Sequence, residues 1–240
     1  MRFIADLHTH TCASTHAFST VTENAAAAEK AGIKYLAVTD HGTAMPDSPH
    51  IWHFISMKHI PRKIGGVFIL RGMEANILSA NGNVDINKDE VFDALDWAVA
   101  SFHFPVYPPD TKLSHTKAYI KALENPHVDC IGHPDSREYD FDFAEVCRAA
   151  RELDKAIELN MSRFKGQEAI KRYRMILEAC AAEGTKIAVN SDAHYCANVG
   201  AFSRAEAFLE EMGFPENLIL NADEDRLRKH IISHKGDIFE

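Results

Sequence analysis

The sequence predicts an α/β protein, a (β/α) barrel of seven or eight parallel strands that forms one domain over residues 1–240. Three observations predict it: short apolar runs alternate with segments of helical composition, the runs are apolar throughout, and metal-binding side chains recur at their ends. Strands without apolar–polar alternation are typical of parallel sheets that helices cover on the outside. The chain is long enough for one such barrel.

Seven apolar runs are predicted as strands. They are residues 2–5, 34–38, 67–70, 97–101, 128–131, 156–159 and 186–189. A further run at residues 218–220 is a candidate for an eighth strand. Helices are predicted over residues 23–31, 142–153, 168–183 and 224–233, and Gly32 and Gly184 follow two of them where a helix stop is expected.

Two insertions interrupt this alternation. Residues 46–62 carry three histidines and two aromatic residues, and Asn81-Gly82 has the composition of a hairpin turn. Both are expected at the mouth of the barrel, defined here as the face where the strands have their C-terminal ends.

Potential metal ligands recur where the apolar runs end. Because the strands of a parallel barrel all point their C-terminal ends at one face, side chains that are far apart in sequence are expected to meet there. Histidine and carboxylate are common ligands of divalent metals. The predicted ligands are His8, His10, His16, His41, Glu74, His103, His133, Asp192 and His194.

Nine ligands are more than one four- or five-coordinate ion can use, so the set predicts two or three ions. Glu74 is expected to bridge two of them, because a carboxylate can bridge where an imidazole cannot. Such a centre suits phosphate ester hydrolysis: two ions turn a bridging water into a hydroxide nucleophile and a third neutralises the phosphate. Glu74, Asp192 and His194 are therefore predicted to be catalytic, with Asp192 or His194 moving protons.

The motifs around these ligands resemble those of the PHP (polymerase and histidinol phosphatase) superfamily. They are DLHTH, ASTHAFS, TDHG, RGMEANI, SFHFPV, GHP and NSDAH. Within that superfamily the chain looks most like the YcdX-type phosphatases, over residues 3–202. The resemblance implies a distorted, TIM-like (β/α)7 barrel and a trinuclear centre.

The resemblance also implies how the ligands are shared. One ion would be bound by His8, His10, Glu74 and Asp192, and a second by Glu74, His103 and His133. A third would be bound by His16, His41 and His194. The metals are expected to be zinc, with manganese or iron as alternatives because they accept the same donors.

Composition narrows the class of partner. The formal net charge of −9 disfavours binding to a nucleic-acid backbone, which needs a basic face. The five cysteines form no CxxC pair, and the N-terminus leads directly into a strand, so a cytoplasmic protein without membrane contact is expected. The resemblance to related proteins suggests a homo-oligomer, such as a trimer.

The leading hypothesis is hydrolysis of small phosphate monoesters. Arg163 and Lys165 follow the sixth predicted strand, whose end offers no metal ligand, and are weaker candidates for binding substrate phosphate. Two alternatives stay open. One is a metal-dependent nuclease or phosphodiesterase, and the other is a non-catalytic PHP module that binds metal for structure or holds a partner.

Overall fold

The computed structural model describes residues 2–85, 91 and 93–239, and within them seven parallel strands form a nearly closed barrel. Their neighbours in the sheet follow their order in the chain. A short strand, β3 (Lys63–Ile64), pairs antiparallel with β4. The parallel strands are β1 (Ala5–Asp6), β2 (Tyr35–Val38), β4 (Val67–Asn76), β5 (Trp97–Ser101), β6 (Cys130–Ile131), β7 (Ala156–Asn160) and β8 (Lys186–Asn190).

The barrel closes between β1 and β8 without an eighth parallel strand. At the mouth, Thr9 and Ala193 form an isolated parallel bridge. At the opposite end, residues 218–220 were predicted as a strand, and this prediction was wrong: the segment forms two 3-10 turns, Glu216–Leu218 and Leu220–Ala222. It contributes a single bridge, between Ile187 and Ile219.

The side chain of Asn221 explains this difference. Its Nδ2 donates to the carbonyls of Ala5 (2.8 Å) and Val189 (2.6 Å), and its Oδ1 accepts from the Val189 amide (3.0 Å). One buried amide thus satisfies backbone groups on both open edges, which would otherwise remain unpaired. A pattern of apolar residues does not distinguish this arrangement from a strand.

Helices cover the outside of the barrel, seven of them α-helices in the part of the chain that the structure describes. The four predicted helices are confirmed to within two residues at each end. Thr20 and Glu23 form a capping box at the start of α1, and Gly32 ends α1 at φ 77°. The helices are α1 (Val21–Ala31), α2 (Trp52–Ser56), α3 (Lys112–Leu123), α4 (Phe143–Glu152), α5 (Gly166–Glu183), α6 (Ser203–Met212) and α7 (Glu224–Lys235).

The hydrophobic core has two layers. One fills the space between the strands and the helices, and the other fills the inside of the barrel. Leu227 and Ile231 of α7 pack into the inner layer beside Trp97 and Leu220, so α7 closes the end opposite the mouth. The interior is therefore packed with side chains and is not an open pore.

The hairpin turn predicted at Asn81-Gly82 is confirmed. Gly82 has φ 68°, and Ile77 bridges antiparallel to Val84. The expectation for residues 46–62 was wrong in part. Asp47 lies at the mouth beside His16, but the segment then runs along the barrel as α2 and a 3-10 turn, Met57–His59.

The end of that segment lies away from the mouth. Arg62 forms an ion pair with Asp96, the residue before β5, and Lys58 lines a cavity together with Lys235 of α7. Most of the insertion therefore packs on the side of the barrel, because its buried side chains, Phe54 and Met57, join the outer layer of the core.

Gly132 connects the packing of the barrel to the mouth, because it directly precedes His133. A Cβ at this position would lie 2.2 Å from Ser101 Oγ and 2.6 Å from Val99 Cγ1. We expect Gly132→Ala to lower the free energy of unfolding by about 1–3 kcal/mol, as overpacked core sites do. Thermal and denaturant unfolding of the metal-free protein measure this change.

The double variant Gly132→Ala/Ser101→Ala is the matched test. Removing the hydroxyl that the new methyl group meets first should restore part of the lost stability. Equal stability of Gly132→Ala and the wild type would contradict the tight packing of β5 against β6.

Candidate metal centre

The structure brings the nine predicted ligands together at the mouth of the barrel. His8 and His10 follow β1, His41 follows β2, and His103 and His133 each lie two residues after a strand. Asp192 and His194 follow β8 in the same way, and His16 lies on the loop between β1 and α1. Glu74 differs from its prediction in one respect: it lies inside β4, which is longer than the apolar run, and it still reaches the mouth.

Glu74 lies at the centre of the site, and its two carboxylate oxygens face different histidines. Oε1 lies 2.8 Å from His133 Nε2 and 3.3 Å from His103 Nε2. Oε2 lies 3.4 Å from His8 Nε2 and 3.5 Å from His10 Nε2. The carboxylate is 1% exposed, so these imidazoles form its surroundings in place of water.

A second carboxylate completes the set around His8 and His10. Asp192 Oδ1 lies 3.1 Å from His10 Nε2 and 3.7 Å from His8 Nε2, and the two Nε2 atoms lie 3.2 Å apart. His8, His10 and Glu74 thus offer ligand atoms within 4.8 Å of one another. Their spacing suits one shared ion, and Asp192 borders the same space.

His16, His41 and His194 form a third group. The ring centroid of His16 lies 4.5 Å from that of His194 and 5.1 Å from that of His41. His41 is buried, and neither of its ring nitrogens has a hydrogen-bond partner among the described residues, although Nδ1 lies 2.8 Å from Glu74 Oε2. Buried polar atoms are normally paired, so an unpaired imidazole at the mouth fits a metal ligand.

The pKa values at the centre favour an ionised Glu74 and divide the imidazoles into two groups. Although burial lowers the pKa values of His8, His41 and His133, neighbouring carboxylates raise them above the usual value, Glu158 chiefly at His8 and Glu74 at the other two. Burial raises the pKa of Glu74, but the neighbouring imidazoles, chiefly that of His103, lower it well below its usual value. Burial lowers the pKa of His10 to about 4 and also lowers those of His103 and His194. Ionised carboxylate and neutral imidazole are the forms that bind divalent metal.

Two of the ligands adopt an unusual backbone conformation. His133 has φ 25° and Asp192 has φ 52°, in the left-handed region that non-glycine residues rarely occupy. Such residues cost on the order of 1–3 kcal/mol each and cluster at functional sites. The fold thus keeps a strained geometry that aims both side chains at the mouth.

Sequence reasoning missed the carboxylate that orients the first ligand. Glu158 of β7 is fully buried, and its Oε1 accepts a hydrogen bond from His8 Nδ1 at 2.7 Å. Its Oε2 accepts from the His133 amide at 2.6 Å and from Asn160 Nδ2 at 2.9 Å. Fixing Nδ1 in this way leaves Nε2 free for metal.

Two further side chains do the same for other histidines. Asn76 Oδ1 accepts from His103 Nδ1 at 2.7 Å, and the Asp47 carboxylate pairs with His16 Nδ1. A signal for Glu158 is visible in the sequence, where AIELN places a glutamate inside an apolar strand. For Asp47 and Asn76 no comparable local signal exists, because their roles depend on how the chain folds around them.

A separate group of possible ligands lies at the opposite end of the barrel. It contains Asp129, His230 and His234. Lys235 and Lys155 lie beside Asp129 and, despite its burial, lower the pKa of that carboxyl, with His234 acting in the same direction. Because these ammonium groups already balance the carboxylate, this group is an internal charge cluster that ties α7 to the barrel.

A cavity of about 580 Å³ opens onto the centre. Histidines and carboxylates of the metal centre form its floor, and Phe104, Glu138 and Arg163 lie on its wall. Arg163 Nε lies 3.5 Å from Asp135 Oδ1. Lys165, the second candidate for substrate binding, lines a neighbouring cavity, so the structure separates the two cations.

No helix among the described residues combines the length and the apolar character that a membrane span requires.

Comparison with known proteins shows the family of this chain. The family model of the PHP domain matches residues 6–191. A probable phosphatase of Clostridium novyi is 40% identical over 99% of this chain and 98% of its own length. A probable phosphatase of Caldanaerobacter subterraneus is 42% identical over 96% of this chain and 92% of its own.

Among solved structures, histidinol phosphate phosphatase from Lactococcus lactis, complexed with zinc, L-histidinol and phosphate, has a similar fold. Its TM-score is 0.65 at 17% identity, and the match covers 90% of this chain and 95% of that one. A putative histidinol phosphatase from Listeria monocytogenes has a TM-score of 0.56 at 14% identity, over 83% and 99% of the two chains. At these identities the likeness shows a common distorted barrel.

We expect Glu158→Gln to weaken metal binding by about 10–100-fold, because second-layer partners of metal-bound histidines have effects of that size. The amide cannot accept from His8 Nδ1 with the strength of a carboxylate, and it removes a negative charge beside the centre. Competition with a chromogenic chelator measures the affinity.

Glu178→Gln, on the exposed face of α5, is the matched control and should bind metal as the wild type does. Wild-type affinity in Glu158→Gln would mean that the bond to His8 does not support the centre.

Proposed function

This chain belongs to the PHP domain family and is a metal-dependent phosphatase, and we propose that its centre holds three divalent ions and hydrolyses small phosphate monoesters. The observation that carries the proposal is the position of Glu74. Its two oxygens face different imidazoles: Oε1 lies 2.8 and 3.3 Å from those of His133 and His103. Oε2 lies 2.8, 3.4 and 3.5 Å from those of His41, His8 and His10. That geometry supports a carboxylate that bridges two ions.

The group of His16, His41 and His194 supports a third ion. His41 has no hydrogen-bond partner for its ring among the described residues, and Asp47 leaves His16 Nε2 free. Donor chemistry supports zinc, since imidazole-rich sites suit it, while manganese and iron accept the same donors. When bound, such ions supply an activated water and neutralise the charge on phosphate.

The chain's own residues then move protons and bind substrate. Burial raises the pKa of Asp192, but the imidazoles of His8 and His10 lower it below its usual value, so the carboxylate is ionised. Its position at the mouth, and not its basicity, makes it the candidate to accept a proton from the attacking water. His194 Nδ1 lies 3.4 Å from Asp192 Oδ1 and borders the cavity, where it can pass a proton to the leaving oxygen. The ester P–O bond breaks as the water oxygen bonds to phosphorus.

Arg163 is proposed to bind the phosphate that is transferred. Its side chain is about half exposed, at 49%, and lines the cavity together with the ligands of the centre. A guanidinium can hold two phosphate oxygens at once, which helps to orient the ester. This supports the earlier hypothesis for Arg163, and it separates that residue from Lys165.

Small substrates fit the cavity better than nucleic acid does. A volume of about 580 Å³ is within the range of small-molecule sites. The net charge of −9 supports the same choice. A nuclease or phosphodiesterase is the alternative within enzymes, and a metal-binding module without activity is the alternative outside them.

We expect Glu74→Gln to lower phosphate release by at least about a hundredfold and to reduce the metal content from about three ions per chain, because an amide cannot bridge two ions. The fold should persist, since barrel stability resides in the core. Elemental analysis, circular dichroism and a phosphate-release assay measure the three properties, with Glu178→Gln as the control.

The same assay distinguishes the alternatives. Chelator-sensitive phosphate release from monoesters by the wild type supports the phosphatase, whereas cleavage of single-stranded DNA alone would favour the nuclease. Bound metal without turnover of any ester would favour the non-catalytic module, and full activity in Glu74→Gln would exclude the bridging role.

A further inference from the structure

A second cavity of about 400 Å³ lies directly beside the one that opens onto the metal centre. The two cavities share Ser162, Asp192 and His194, so a molecule bound at the centre can extend into either. The second cavity lies between the loop after β7 and the start of α6. It is lined further by Met161, Lys165, Ser191, Asn198, Ala201 and Arg204.

Two cations that lack acidic partners line this second cavity. Neither Lys165 nor Arg204 forms an ion pair with any residue that the structure describes, although many of the chain's other basic residues do. The Arg204 guanidinium lies 5.2 Å from the centroid of the Phe164 ring, a cation–π contact that restrains it against the residue before Lys165. In a chain of net charge −9, the two cations and the cavity that they line together make a site that favours an anion.

The acidic group that lines the second cavity is already committed to the metal centre. Asp192 is the one carboxylate among the residues that line the second cavity, and its oxygens face His8 and His10. The first cavity is different, because there Arg163 lies opposite Glu138 and close to Asp135. The basic side chains of the second cavity are therefore available to an anion, whereas the charge of Arg163 in the first cavity is partly neutralised.

We propose that the second cavity binds a second anionic group of the substrate, so that preferred substrates are small phosphate monoesters that carry a further phosphate or carboxylate. This rests on the proposed function for the site of hydrolysis. The reacting phosphate lies at the centre beside Arg163, and the distal anion lies between Lys165 and Arg204. Ser162 and Asn198 offer a hydroxyl and an amide at the same wall.

Binding of substrate analogues that cannot be hydrolysed tests the subsite independently of turnover. The probes are 3-phosphonopropionate, which carries a distal carboxylate, propane-1,3-bisphosphonate, which carries a distal phosphonate, and propylphosphonate, which carries neither. Titration calorimetry of the metal-loaded protein should show that one or both probes with a distal anion bind at least about tenfold more tightly than propylphosphonate, since hydrogen bonds to charged groups have effects of that size. Comparing the first two probes identifies which anion is preferred.

Arg204→Met and Lys165→Met should each reduce this preference at least about threefold, and the double variant should abolish it. Methionine keeps much of the unbranched apolar part of either side chain and removes the charge. Lys171→Met, on the exposed face of α5, is the matched control and should keep the wild-type preference.

The possible outcomes separate the two proposals. Equal affinity of the wild type for all three probes, or a preference that survives in the double variant, would overturn the subsite. A preference that depends on Lys165 and Arg204 in a protein that hydrolyses no ester would support the subsite and overturn the proposed hydrolysis.

Discussion

The burial of Glu74 is the constraint on which the rest of the site depends. A carboxylate taken out of water is stable only if other groups replace its hydration, and here the replacement is a shell of five imidazoles from four different strand ends. Glu158 and Asp192 add two more carboxylates within the same mouth, both buried. Such a concentration of negative charge is costly without cations, and divalent metals supply them compactly.

The same constraint explains the side chains that surround the histidines and accept hydrogen bonds from them. An imidazole bound to metal must present a particular nitrogen, and its other nitrogen needs a fixed acceptor. Glu158 and Asn76 provide such acceptors from β7 and β4, two strands of the barrel itself, whereas Asp47 provides one from an insertion. The acceptors on strands are held by the sheet. The acceptor on the insertion depends on how residues 46–62 pack, and His16, which it orients, is the more exposed ligand.

The sequence was sufficient to predict the features that recur along the chain, such as ligands at strand ends, and insufficient to predict the contacts that occur only once. Parallel strands impose one direction on all their C-terminal ends, so the ligands at His8, His103 and Asp192 could be brought to a single face from their positions alone. Asn221 is a counterexample, because one amide replaces a strand by bonding both edges of the barrel, and no periodicity encodes that. Glu158 was missed for another reason: its position is that of an ordinary residue within β7, and its role depends on His8, which follows β1, a strand that does not pair with β7.

The shape of the mouth links the chemistry to the choice of substrate. Asp192 and His194 line both cavities, so the groups assigned to proton transfer lie where the two spaces meet, and the reacting phosphate must lie there as well. The walls of the two cavities then distinguish one ester from another. Phe104, Tyr139 and Glu138 form a mixed apolar and acidic wall on one side, and Lys165 and Arg204 form a basic wall on the other. Because none of these five side chains is itself among the proposed metal ligands, a change at any of them leaves the set of donors intact, and a single metal site can then serve different phosphate esters.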